Sequence, residues 1–281
     1  MTNLSSHFDI VKQRRRLQAM RWMMMGVAAS STLLIAGFPA AAGNLEIKPA
    51  VAKGLVIKGL RGEVEVIIGQ RPEVEITIEG EDEALDLVKS DVKNDAFMIT
   101  IPTESTNIAT VDGNVTSITS GGGTSNVQIG NQTFTNHSEP VDLFMTATVP
   151  EGTIVRLEGF VGNAEIGDTG ADVVLNCASC DAELGKIAAL DVTLAGAGDV
   201  TAKRVERALA ASIAGDGSIE ILDGNLDHAT LTITGSGAID FGGRTVNASV
   251  NIVGSGDVRL REVDNPIQST IIGAGDVVTG E

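Results

Sequence analysis

A glycine-centred pentapeptide recurs through the second half of the chain at a nearly fixed interval. It reads G-A-G-D-V at Gly196–Val200, G-D-G-S-I at Gly215–Ile219 and G-S-G-A-I at Gly235–Ile239. G-S-G-D-V follows at Gly254–Val258 and G-A-G-D-V at Gly273–Val277. Two weaker copies precede them, Val161-Gly162-Asn163-Ala164 and Ser179-Cys180-Asp181-Ala182. Taking Gly162, Cys180, Gly198, Gly217, Gly237, Gly256 and Gly275 as anchors, the spacings are 18, 18, 19, 20, 19 and 19. A period of this size is the signature of a solenoid, in which each repeat stacks on the last.

The columns around the anchors identify the secondary structure. Two residues after them stand Ala164, Ala182, Val200, Ile219, Ile239, Val258 and Val277. Four residues after stand Ile166, Leu184, Ala202, Ile221, Phe241, Leu260 and Thr279. Four before the last five anchors stand Leu194, Ile213, Ile233, Ile252 and Ile271. The alternation has period 2, so these are strands with one face buried. The same columns in every repeat predict parallel strands about 4.8 Å apart. The predicted fold is all-β, a parallel β-solenoid of about 19 residues per coil, with two short strands and a GSG-type turn. The turn glycines supply positive φ or close backbone approach.

The repeats and their flanks resemble the auto-transporter adhesin head domain family, also called the head GIN domain. Gly59-Leu60-Arg61-Gly62-Glu63-Val64-Glu65-Val66 and Pro72-Glu73-Val74-Glu75-Ile76 look like its N-terminal strands. Phe97-Met98-Ile99-Thr100-Ile101 looks like the strand that closes that part. The resemblance implies a parallel β-helix with GSG turns between two sheets and a role in adhesion. It carries over no catalytic set. The chain departs from the pattern at Cys180, at Ala238 and in a long polar stretch, Thr103 to Pro140.

The N-terminus reads as an address. Lys12, Arg14, Arg15, Arg16 and Arg21 precede an uncharged run from Trp22 to Phe38, then Pro39 and Ala40-Ala41-Ala42. Basic, apolar and A-x-A segments in that order predict a secretory signal peptide over 1–42. An uncleaved anchor is the alternative, though the run is short for a span of roughly 20 residues. The expected organisation is therefore a signal peptide (1–42), N-terminal strands entering the solenoid (43–102), a Ser/Thr/Gly-rich insertion read as a loop or hairpin (103–140) and the repeat solenoid (141–281). The protein is expected to be exported to the periplasm or cell surface of a bacterium.

Composition narrows the partners. Lys plus Arg is 20 and Asp plus Glu is 37, a formal net charge of −17. Without residues 1–42 the remainder holds 15 basic and 36 acidic residues. Such a chain repels phosphate backbones, so nucleic acid is not expected as a partner. Trp22 is the only tryptophan and there is no tyrosine. The rings that usually stack on sugars or bases are therefore scarce.

Few residues suggest chemistry. Cys177 and Cys180 flank the turn where other coils carry glycine. In such a turn the Cα atoms lie within about 7 Å, near disulfide reach, and an exported protein meets an oxidising compartment. Zinc would need more ligands than the two cysteines, and the remaining histidines, His137 and His228, are far away in sequence. Carboxylates form rows, and Asp257 with Asp276 and Glu220 with Asp240 are candidates for sharing calcium. The competing reading is a solvated acidic face with capping aspartates. No catalytic residues and no cofactor are expected. The expected function is a non-enzymatic solenoid for adhesion or envelope scaffolding, with an envelope or surface protein or polysaccharide as partner. A polysaccharide-binding or polysaccharide-cleaving β-helix and a calcium-dependent envelope protein are the alternatives. The last coil, Gly273–Glu281, shows no evident cap and leaves an edge for another copy or coil.

Overall fold

The computed structural model describes residues 43–102 and 142–280, and between them the backbone strands 104–111, 114–121, 123–129 and 132–138. The predicted signal peptide, 1–42, lies outside the described residues. No helix among the described residues is long and apolar enough to cross a membrane.

Six strands open the fold: β1 (Gly43–Val51), β2 (Gly54–Lys58), β3 (Arg61–Gly69), β4 (Glu73–Gly80), β5 (Lys89–Lys93) and β6 (Ala96–Thr100). A single helical turn, α1 (Asp82–Leu85), joins β4 to β5 and buries Ala84 and Leu85. The predicted insertion carries two antiparallel hairpins. They are β7 (Glu104–Val111) with β8 (Asn114–Gly121), and β9 (Gly123–Ile129) with β10 (Gln132–Ser138). Within the insertion Asn107 pairs with Ile118, and Asn126 with Thr135.

The coils follow. They comprise β11 (Leu143–Pro150), β12 (Ile154–Ile166), β13 (Val173–Leu194), β14 (Asp199–Gly215) and β15 (Ser218–Ile221). The remainder are β16 (Asn225–Gly235), β17 (Ala238–Gly254), β18 (Asp257–Val263), β19 (Gln268–Gly273) and β20 (Asp276–Thr279). Neighbouring coils pair in parallel: Val155 lies beside Val173, Ala182 beside Val200, Ser218 beside Ala238 and Asp257 beside Asp276. The fold is a β-solenoid of about seven turns at about 19 residues each.

Each coil has a short strand of about four residues and a long one of about eight, rather than two equally short strands. A bend after the short strand brings one further side chain inward, along the column Leu226, Thr245, Val263. The core is a bundle of such columns. Leu194, Ile213, Ile233 and Ile252 stack in one; Val200, Ile219, Ile239 and Val258 in another. All eight are essentially inaccessible to water. Thr245 is the polar member of the bend column, and its buried hydroxyl donates to the carbonyl of Asn247 at 3.0 Å, which removes the cost of an unpaired polar group.

The two glycines of the turn have different duties. Gly215, Gly235, Gly254 and Gly273 hold φ between 128° and 149°, a region closed to most side chains. Their partners Gly217, Gly237, Gly256 and Gly275 are held small by close packing: a β-carbon at Gly256 would lie 2.6 Å from the Gly237 carbonyl oxygen. In the Gly196-Ala197-Gly198 turn the positive φ moves to Gly198. That turn stacks on the non-glycine turn at Ala178 and Cys180.

The repeat also begins earlier than the sequence suggested. Arg61-Gly62-Glu63-Val64 pairs in register with Val161-Gly162-Asn163-Ala164. Gly62 has φ 121° and heads the glycine row, although a hundred residues separate it from its neighbour.

Candidate functional site

The short strands place the predicted acidic rows side by side on one outer face. One row runs Glu63, Asn163, Asp181 and then Asp199, Ser218, Ala238, Asp257, Asp276. The other runs Glu65, Glu165, Glu183, Thr201, Glu220, Asp240, Arg259, Val278. Asp257 and Asp276 are adjacent, as are Glu220 and Asp240, and Arg259 follows Asp240.

The aspartates next to the turns engage the neighbouring coil through their carboxylates. Asp181 Oδ1 accepts from the Asp199 N–H at 3.0 Å, and Asp257 Oδ1 accepts from the Asp276 N–H at 3.2 Å. Asp199 Oδ1 accepts from the Ser218 hydroxyl at 2.5 Å. Each of these carboxylates ties its coil to the next. Among the described residues, no group of three or more His, Cys, Asp or Glu is placed to hold a metal ion.

Cys177 and Cys180 form a disulfide across their turn, with Cα atoms 6.0 Å apart. Both are buried. The Cys177 carbonyl accepts from the Ala195 N–H at 3.0 Å, so the cystine turn sits within the ladder of coils. His228 lies exposed in β16, with its Nδ1 3.5 Å from Asn247 Nδ2.

The bend between short and long strands carries ion pairs from coil to coil. Arg244 donates two hydrogen bonds to Asp264, both 2.8 Å, and lies 3.6 Å from Glu262. Arg204 bonds Glu206 and Asp223 in the corresponding place. The guanidinium pKa is raised in both, by the hydrogen bond to Asp264 for Arg244 and by that to Glu206 for Arg204. Arg244 is exposed and Arg204 half-buried, and pairs this open to water add little to stability.

The outer face of the long strands is different in kind. Over the last four coils its rows are Ala210, Thr230, Ser249, Gln268; then Ser212, Thr232, Asn251, Thr270; then Ala214, Thr234, Val253, Ile272, with Asp191 beside Ala210 and Thr193 beside Ser212 one coil earlier. None of the twelve residues in the last four coils is buried and none is charged. Neighbours within a row lie about 4.8 Å apart, and successive outward residues of a strand, which belong to adjacent rows, about 7 Å apart. In the long strands the sequence pattern singled out only the inward column Leu194, Ile213, Ile233, Ile252, Ile271. The alternation Thr230-Leu231-Thr232-Ile233-Thr234 was the available signal for this face.

The sequence model of the family described as "Putative auto-transporter adhesin, head GIN domain" matches residues 57–280. The chain belongs to this family. Solved structures share its fold. One is a "Putative lipid binding protein" from Parabacteroides distasonis, 17% identical, with TM-score 0.54, covering 86% of this chain and 98% of that one. Another is a "putative adhesin" from Bacteroides fragilis, 15% identical, with TM-score 0.52, covering 86% and 100%. No curated protein matches the chain. In this head GIN domain the match begins in β2 and reaches β20, so both outer faces lie within the family's own fold.

Proposed function

We propose that this head GIN domain is an exported, non-catalytic module for adhesion or envelope scaffolding, and that its long-strand face is the contact surface for an envelope or surface polysaccharide. The observation that carries this reading is the array of twelve uncharged positions in register on that face. A repeating polymer offers hydroxyls at regular intervals. A repeating protein surface meets them with hydroxyls and amides at regular intervals, so that weak contacts add along the polymer. The acidic rows on the short strands disfavour polyanions there. Export is supported by the basic, apolar and small-residue order of residues 12–42 and by a disulfide in the coil stack.

The test is incubation of the purified protein with a panel of envelope and surface polysaccharides, reading both retention and new chain ends. Retention without new ends is expected, weakened by Thr232→Lys on the long-strand face and unchanged by Glu220→Lys on the other. Reproducible cleavage above a heat-killed control overturns the non-catalytic reading. Retention that is indifferent to Thr232→Lys moves the contact surface elsewhere.

A further inference from the structure

The two ends of the coil stack are finished differently. At the N-terminal end both ladders stop in antiparallel strands: β4 pairs antiparallel with β11 and β1 with β4, while β5 pairs antiparallel with β6. The outermost strands there are unsuited to further pairing. β1 contains Lys48 and Pro49 at a break in register between Ile47 and Ala50. β5 is exposed throughout and carries Lys89, Asp91 and Lys93. Lysine, proline and irregular pairing are the usual means of blunting a sheet edge.

The other end lacks all of these. Among the described residues, β19 pairs only with β17 and β20 only with β18. Gln268-Ser269-Thr270-Ile271-Ile272-Gly273 has no charge and no proline. Ile271 continues the column Leu194, Ile213, Ile233, Ile252, whose members are 0% exposed, yet it is itself 41% exposed, and Ile272 is 63% exposed. Ile271 and Ile272 thus stand exposed along an edge of β19 that no described strand pairs.

We propose that two copies of the protein close this end on each other, β19 of one adding antiparallel to β19 of the other about a twofold axis. The occupant is a second copy for three reasons. The strand that finishes a ladder in this fold is antiparallel, and a twofold axis normal to the sheet produces that orientation. Centring the pair on Ile271 sets Ile271 against Ile271 of the partner subunit on the core side, and Thr270 against Ile272 of the partner subunit on the outer side. Finally, a chain of net charge −17 repels its own copies, and residues 268–275 form an end segment free of charge. The contact is isologous and closed, because the blunted N-terminal edges offer no second site for growth. It does not depend on what the long-strand face binds.

The experiment is sedimentation equilibrium of the protein over a wide dilution series. A limiting mass of twice the single chain is expected. The double variant T270K/I272K sets lysine against lysine at two positions of the pair. Both residues are exposed in the single chain, so an unchanged far-ultraviolet circular dichroism spectrum is expected. Its dissociation constant is expected to rise at least about tenfold. Val92→Lys on β5 is expected to leave association unchanged. A wild-type protein that is monomeric throughout, a mass that keeps growing with concentration, or a double variant that dimerises like wild type overturns the proposal.

Discussion

Gly254 lies directly over Gly235 in the next coil, with φ 130° and with its missing β-carbon aimed at the Gly235 carbonyl oxygen. Two costs therefore fall on one methyl group: a backbone conformation that L side chains avoid, and a clash with a backbone that is itself stacked. Gly254→Ala is expected to destabilise by on the order of 3 kcal/mol. Chemical denaturation measures it. A loss under about 1 kcal/mol would mean that the turn has a second, relaxed geometry.

Asp257 caps a neighbouring coil, because its Oδ1 receives the Asp276 N–H at 3.2 Å. Asp257→Ala is expected to cost about 1 kcal/mol, the net worth of such a bond. The loss should be the same with excess calcium and with chelator. A wild-type melting temperature that rises with calcium and falls with chelator would support the calcium reading of this row.

Cys177 and Cys180 close a very small loop, with a sequence separation of 3. Cross-linking so short a segment removes little freedom from the unfolded chain, so loss of the bond should cost about 2 kcal/mol. Because both cysteines are buried, no thiol should be released by mild reductant until the coils open. Thermal melts with and without strong reductant, with thiol titration of the native protein, check both statements.

Lys93 donates to the Asp91 carboxylate on the blunted edge strand, and that hydrogen bond holds the Asp91 pKa below its ordinary value. The linkage therefore favours the fold above the unfolded carboxyl pKa and is lost as pH falls through the lower folded value. Both groups are exposed, so the effect on global stability is small. A carboxyl resonance titration should place Asp91 low, and Lys93→Ala should return it toward the ordinary range.

Much of the solenoid was readable from residues close together in sequence. A glycine every 18 to 20 residues and period-2 apolar columns determine the fold class and the parallel pairing, because identical coils can satisfy their backbones only on one another. The acidic rows followed from the same register. The first copy of the motif, at Gly62, escaped because two hairpins and four further strands intervene before Gly162. The twelve uncharged outward positions escaped because small polar residues in a strand carry no contrast until their neighbours are stacked.

By itself, then, the sequence determined the coil length, the inward columns, the turn glycines and the cysteine pair as neighbours, since each depends on spacing along one or two turns. Tertiary structure decided three other matters. It set which glycine takes positive φ, because that depends on the carbonyl of the coil below. It engaged Asp181 and Asp257 with backbone N–H groups, because a hydrogen bond needs the geometry of two coils at once. It also finished one end in antiparallel, charged strands and left Ile271 open at the other, because an edge exists only once the stack has formed.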